Sequence, residues 1–131
     1  MKIMTAAEAV QLINSGESIY IQGSTSIPEV LSQALADRGA ELKDVTIYAA
    51  FAVGRCEAPY CKPEYKDSFN VKSLFVANNI RKWLAAGYGS TIPAFLGEIP
   101  GLFRDGTLPL DAVFLNVSPP NEEGYCSFGV S

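Results

Sequence analysis

Three short runs, Ser18-Ile19-Tyr20-Ile21-Gln22, Val45-Thr46-Ile47-Tyr48-Ala49-Ala50 and Ala112-Val113-Phe114-Leu115-Asn116-Val117, are dominated by strand-forming apolar residues. They are separated by stretches whose apolar residues recur at helical spacing. A strand with one wet face alternates apolar and polar residues, whereas a run that is apolar nearly throughout needs cover on both sides. Strands of this kind alternating with helices predict an α/β fold, a three-layer domain around a mostly parallel sheet. The length of 131 residues suits one such domain, able to bury roughly two thirds of its unfolded surface. With 48% hydrophobic and 18% charged residues, the composition is that of a folded chain.

The connecting segments carry their own punctuation. Thr5-Ala6-Ala7-Glu8 reads as a capping box, and Ala6, Ala9, Val10 and Ile13 fall on one helical face before Gly16. Gly23-Ser24-Thr25-Ser26 turns the chain, and Pro28 opens a second helix near its first position. In that helix Ile27, Val30, Leu31, Ala34 and Leu35 form the apolar face. The stretch 51–70 reads as irregular, and Ser73 to Val76 as a third strand. A helix from Ile80 follows, with Trp83 and Leu84 inward and Gly87 as its stop. Thr91 to Phe95 predicts a fourth strand, placed at an edge by Pro93. Ile99, Leu102 and Phe103 mark a short helix.

Several function classes are excluded. There is no histidine, so neither a Ser-His-Asp nor a Cys-His arrangement can form within this chain. The net charge of −4, with no cluster of Lys or Arg, disfavours duplex nucleic acid and anionic membrane as partners. No apolar run reaches the length of a membrane span. The start at Met1-Lys2-Ile3 lacks the apolar core of a signal peptide. Three cysteines, Cys56, Cys61 and Cys126, suit unpaired thiols in a reducing cytoplasm. Without histidine, and with a single further cysteine, the Cys56/Cys61 pair is not expected to hold a metal. The spacing of a dinucleotide-binding loop is absent. Asn116-Val117-Ser118 fits a glycosylation pattern but falls in an expected buried strand.

In an open parallel sheet, ligands bind beyond the carboxyl ends of the strands. Those ends are polar and small here: Gly23 to Ser26, Gly54-Arg55, Asn78-Asn79, Gly97-Glu98 and Ser118-Pro119-Pro120. The loop Gly23 to Ser26 is either an anion cradle at a helix start or a tight turn at Gly23 with Ser26 or a neighbour as the cap. Asn79 is either the cap of the helix at Ile80 or a donor facing the crevice. Glu98 is either a general base or an acid complementing a helix dipole. Arg55 either contacts an anion or is a solvated loop charge. The tail after Gly124, where Tyr125, Phe128 and Val130 alternate with Cys126, Ser127 and Gly129, reads as an extended strand, and its plain alternative is core packing.

The tail Ser118-Pro119-Pro120-Asn121-Glu122-Glu123-Gly124-Tyr125-Cys126-Ser127-Phe128-Gly129-Val130-Ser131 resembles a characteristic segment of the acetyl-CoA hydrolase/transferase family. That family includes 4-hydroxybutyrate and butyrate–acetate CoA-transferases. Four further blocks resemble it in the same order: Lys2 to Val10, Tyr20 to Gly23, Phe75 to Arg81 and Pro93 to Phe103. The resemblance implies the amino-terminal α/β domain, residues 1–131, of a two-half enzyme of class I CoA-transferase type. In such enzymes a glutamate of the carboxyl-terminal half attacks the acyl-CoA thioester, and a glutamyl-CoA thioester then forms. Neither that glutamate nor the glycine-rich CoA loop has a counterpart here, so no catalytic residue is expected in this chain.

What the resemblance assigns to this half is a wall of the acyl and carboxylate pocket. Gly23, Ser24, Thr25, Asn79, Ser118 and Gly124 are the substrate-binding candidates. Gln22 stands where the family often carries a glycine, so close backbone approach at that position is not expected. CoA enters as the thioester substrate, with no tightly bound cofactor. The implied partners are an acyl-CoA, a short-chain carboxylate and the carboxyl-terminal half, with homo-oligomers by analogy of fold. The alternatives are half of an acyl-CoA hydrolase using the same glutamyl chemistry, or a stand-alone binding module. The Val130-Ser131 ending reads as a chain cut from a longer protein.

Overall fold

The computed structural model describes residues 2–50 and 58–129. Thr5 caps the first helix α1 (Ala6–Ala9), its N–H donating to Glu8 Oε2 at 2.8 Å while Glu8 N–H donates to Thr5 Oγ1 at 3.2 Å. A 3-10 turn, Val10–Leu12, continues it. Then follow β1 (Ser18–Ile21), α2 (Glu29–Asp37), β2 (Val45–Ala49), a 3-10 turn at Pro63–Tyr65 and β3 (Phe69–Ser73). The chain goes on through α3 (Asn78–Ala85), β4 (Ser90–Thr91), α4 (Ile99–Arg104) and β5 (Ala112–Phe114).

All five strands pair in parallel, in the order β4-β3-β2-β1-β5. Right-handed crossovers dictate where the helices lie. The chain steps outward from β1 to β4, so α2 and α3 cover one face. To return from β4 to β5 beyond β1, it crosses the opposite face, and α4 lies there. Side chains alternate accordingly. Ile19, Ile21, Val45, Ile47, Ala49, Phe69 and Val71 meet Val10, Leu35, Ala36 and Ile80 in the main core. Tyr48 and Leu74 meet Leu108 on the other face, where Tyr20, Ile99, Leu102 and Phe103 pack around them. Phe103 stands edge-on to both tyrosine rings, with centroids at 5.7 and 5.4 Å. The three-layer α/β expectation holds, with a sheet that is parallel throughout.

Several boundaries differ from expectation. The third strand is Phe69–Ser73, not Ser73 to Val76. Its Asn70 and Lys72 project to the thinly covered face, so it alternates in burial and did not read as an apolar run. It ends where Ser73 Oγ donates to the Phe75 carbonyl at 2.8 Å, turning the chain. The fourth strand shrinks to Ser90–Thr91, at the edge as expected. Its ladder closes with Ile92 N–H on the Ser73 carbonyl at 2.9 Å, just before Pro93. Pro28 precedes α2 as its cap. Gly16 and Gly87 both adopt φ of 84°. Gly87 is the expected left-handed stop after α3. The first helix instead ends earlier, at Leu12 with an extended Ile13 as its cap, and Gly16 lies in the turn before β1.

Candidate site at the carboxyl edge of the sheet

Because every strand runs the same way, all the carboxyl-end loops emerge on one edge. Between β1 and β5 the strand order reverses, since the chain steps from β1 to β4 in one direction and then returns to set β5 on the other side of β1. Such a switch point opens a crevice no crossover covers. Here it is a groove of about 530 Å³ lined by Thr25, Ile27, Pro28, Leu31, Leu115 and Asn116, among others. On the other side of the β1 loop, toward β2 and α3, lies a small cavity. It is lined by Gln22, Gly23, Ile27, Ala49, Tyr60 and Asn79, with Ile21 and Ala50. Its free volume of about 10 Å³ is close to that of one water-sized sphere.

Gln22, immediately after β1, joins the two spaces. Its backbone N–H donates to the Phe114 carbonyl at 3.0 Å, and its Oε1 accepts from the backbone N–H of Asn116 at 2.6 Å. The side chain therefore continues the β1–β5 ladder past the end of the strands. The residue is 3% exposed. Its Nε2 is buried with no hydrogen-bond partner among the described residues, and so is Asn79 Oδ1. Native interiors seldom leave such atoms unpaired.

The expected site residues are distributed as follows. Gly23 and Asn79 line the small cavity. Thr25 lines the groove. Ser24 lies between them with φ of 61°, so the left-handed residue of the turn is Ser24 and not the glycine. Ser26 does not cap α2, whose cap position is Pro28 without a side-chain bond. Glu29 already places a carboxylate in that first turn, which weighs against an anion cradle at this helix start. Asn79 does not cap α3 either. The helix begins at Asn78 with Ala77 as cap, which leaves the Asn79 side chain for the cavity. Glu98 occupies the cap position of α4, outside its first turn and without a side-chain bond to the helix; its Oε2 instead accepts from the preceding Phe95 N–H at 3.0 Å. Arg55, Gly54 and Cys56 lie outside the described residues, as do Val130 and Ser131.

Ser118 and Gly124 belong to the tail, which is not a strand. Over its described length it is a closed, exposed loop. Ser118 N–H donates to the Ser127 carbonyl and Ser127 N–H to Ser118 Oγ, each at 2.9 Å. Asn121 Oδ1 accepts from the N–H groups of Glu123 at 3.1 Å and Tyr125 at 2.9 Å. Gly124, at φ of 86°, makes the reversal. The loop returns to the site: a Cβ placed on Gly129 would lie 3.8 Å from Ser26 Oγ, in the β1 loop. Tyr125 and Phe128 are 71% and 53% exposed, which rules out core packing for them within this chain.

Burial pushes the Cys61 thiol up to about 11, and its Sγ donates to the Tyr88 carbonyl at 3.2 Å. Cys61 and Cys126 are both unpaired. Among the described residues no three side chains gather as metal ligands, and no helix is long and apolar enough to cross a membrane.

The model of the acetyl-CoA hydrolase/transferase N-terminal domain matches residues 1–131. The chain belongs to that family. It is 32% identical over 126 residues to a succinyl-CoA:acetate/propanoyl-CoA:succinate CoA transferase of Fasciola hepatica, covering 95% of this chain and 26% of the relative. It is also 32% identical over 130 residues to the 4-hydroxybutyrate coenzyme A transferase of Clostridium kluyveri, covering 99% and 30%. Among solved structures it resembles RipA from Yersinia pestis with a TM-score of 0.85 at 26% identity, covering 98% and 32%. The 4-hydroxybutyrate CoA-transferase of Porphyromonas gingivalis gives 0.73 at 32% identity, covering 98% and 28%. The chain thus spans less than a third of each of these proteins.

Proposed function

We propose that this chain forms one wall of the substrate cleft of a CoA-transferase moving CoA between an acyl-CoA and a short-chain carboxylate such as acetate, butyrate or 4-hydroxybutyrate. The observation that carries the reading is the family match along all 131 residues, joined to a switch-point crevice at the expected strand edge. The curated relatives described above are named as transferases, which favours a carboxylate acceptor over water.

The chemistry we assign to the protein begins with a glutamate carboxylate of the carboxyl-terminal half attacking the thioester carbon. Collapse of the tetrahedral oxyanion releases CoA thiolate and leaves an acyl-glutamyl anhydride. The thiolate then attacks the glutamyl carbonyl, expelling the first carboxylate and forming glutamyl-CoA. The acceptor carboxylate attacks that thioester, and returning thiolate takes the new acyl group and restores the glutamate. This chain's part is to hold and orient the carboxylates. Gly23, Ser24, Thr25 and Asn79 would do so along the β1 loop and α3. Ser118 and Gly124 would hold the tail loop against it.

The exposed apolar side chains Val113, Leu115 and Val117, with Tyr125 and Phe128, make the surface on which we place the second half. Unpaired Cys61 and Cys126 suit a reducing cytoplasm. The test is to express the whole reading frame and supply radiolabelled acetate with unlabelled acyl-CoA. Label is expected in acetyl-CoA. Free CoA accumulating without labelled thioester would make the protein a hydrolase.

A further inference from the structure

We propose that Gln22 and Asn79 form a subsite for one uncharged hydroxyl-type oxygen, held between Gln22 Nε2 as donor and Asn79 Oδ1 as acceptor. Both residues line the same small cavity, and each keeps one buried polar atom without a partner among the described residues. The orientation of Gln22 is locked. Its Oε1 already accepts from the Asn116 N–H, and rotating the carboxamide would set an NH2 group against that N–H. Nε2 is therefore the atom left over, in a residue 3% exposed.

Asn79 lies in the first turn of α3, which begins one residue before it. Its carboxamide is not used as a cap, and its oxygen is the buried atom. A buried donor and a buried acceptor on two residues that line one space of about 10 Å³ define a narrow class of occupant. A carboxylate or carbonyl oxygen satisfies Nε2 but faces an acceptor at Asn79. An ammonium satisfies Asn79 but faces a donor at Gln22. A methyl group satisfies neither. An O–H oxygen accepts one hydrogen bond and donates another, and a single oxygen is what the cavity has room for.

Two sources supply that chemistry: a hydroxyl carried on a carboxylate substrate, or a water. The subsite lies at the strand edge read above as substrate-facing, and the hydroxyl source rests on that reading, whereas occupancy by an oxygen does not. The full-length protein is titrated calorimetrically with a short carboxylate and its hydroxylated counterpart, and crystallised with each at a resolution that shows waters. An oxygen within about 3.2 Å of both atoms is expected in the crystals.

If the oxygen comes from substrate, the hydroxylated carboxylate binds at least about tenfold tighter, and Asn79→Ala and Gln22→Leu both bring the ratio close to one. If it is water, the two ligands bind alike and the oxygen persists in both crystals. Asn79→Ala lies on a half-buried helix position and suits the helix, so it reads the subsite even where Gln22→Leu fails to fold. A cavity that is empty, or filled by a carboxylate oxygen or an apolar group, overturns the proposal. So does a hydroxyl preference that survives Asn79→Ala. Absence of CoA transfer would refute the proposed function alone, since calorimetry and crystal occupancy do not depend on turnover.

Discussion

β5 is attached to the sheet along one short edge, and replacing Asp111 tests what holds it there. β5 is paired on one side only, with three residues in register with β1. Just before it, Asp111 N–H donates to the Ser18 carbonyl at 2.8 Å, and Ser18 N–H donates to Asp111 Oδ2 at 2.7 Å. Asp111→Ala keeps the first bond and removes the second. The lost bond is charge-assisted, a class worth about 1.5–3 kcal/mol. The Ser18 amide, in a residue 7% exposed, is left without its partner. A destabilisation of about 2 kcal/mol follows, and for a domain of this length that lowers Tm by roughly 6–10 °C. Asp111→Asn retains an acceptor without the charge and should lose about half as much. The assay is thermal unfolding of the three proteins by circular dichroism, with hydrogen exchange read at the amides of Ala112 to Phe114. If both variants unfold within about 0.5 kcal/mol of the parent, the Asp111 carboxylate does not hold the strand and the reasoning fails.

Cys61 sets a pH dependence whose sign is determined. Its thiol is lifted to about 11 by burial, above the ordinary thiol value of about 8.5, so the folded state keeps a proton the unfolded state releases. The contribution is complete below the unfolded value and is lost as pH rises through that value toward 11. An alkaline unfolding series should therefore show a steeper loss of stability in the parent than in Cys61→Ala. That difference comes on top of the slope that Tyr20 and Tyr48, both raised by burial, give to each. Peptide mapping after brief thiol labelling should find Cys126 modified and Cys61 protected, because one is exposed and the other buried. Gly39→Ala should destabilise by roughly 1–3 kcal/mol in urea unfolding, since its Cβ would fall 2.3 and 2.5 Å from the Tyr65 ring; a double variant with Tyr65→Leu should recover part of the loss.

What could be read in the sequence followed from how local the governing interaction is. The Thr5–Glu8 capping box and the stop at Gly87 depend on a few consecutive residues, and each is where its pattern put it. β3 was displaced because polar Asn70 and Lys72 alternate with Phe69 and Val71, a half-covered pattern inside a fold whose other strands read as apolar runs. Its uncovered face could be known only once α4 was seen to be the sole described helix on that side. The site divides the same way. Strand ends and loop composition mark Gly23, Ser24, Thr25 and Asn79 as lying at the carboxyl edge, and Gly23, Thr25 and Asn79 each line one of the two spaces there. Gln22 registered only as an amide where a glycine is common, a departure that cast doubt on the turn. Its significance comes from a bond across 94 positions to Asn116 and from an orphaned nitrogen beside a residue of α3, neither of which has a local signature. A glutamine at the end of a buried apolar strand is nonetheless a signal in its own right. Its two polar groups must both be answered in the interior, and the strand can answer only one. The second calls for something from outside the sheet, and that need leads from the β1 terminus to the cavity.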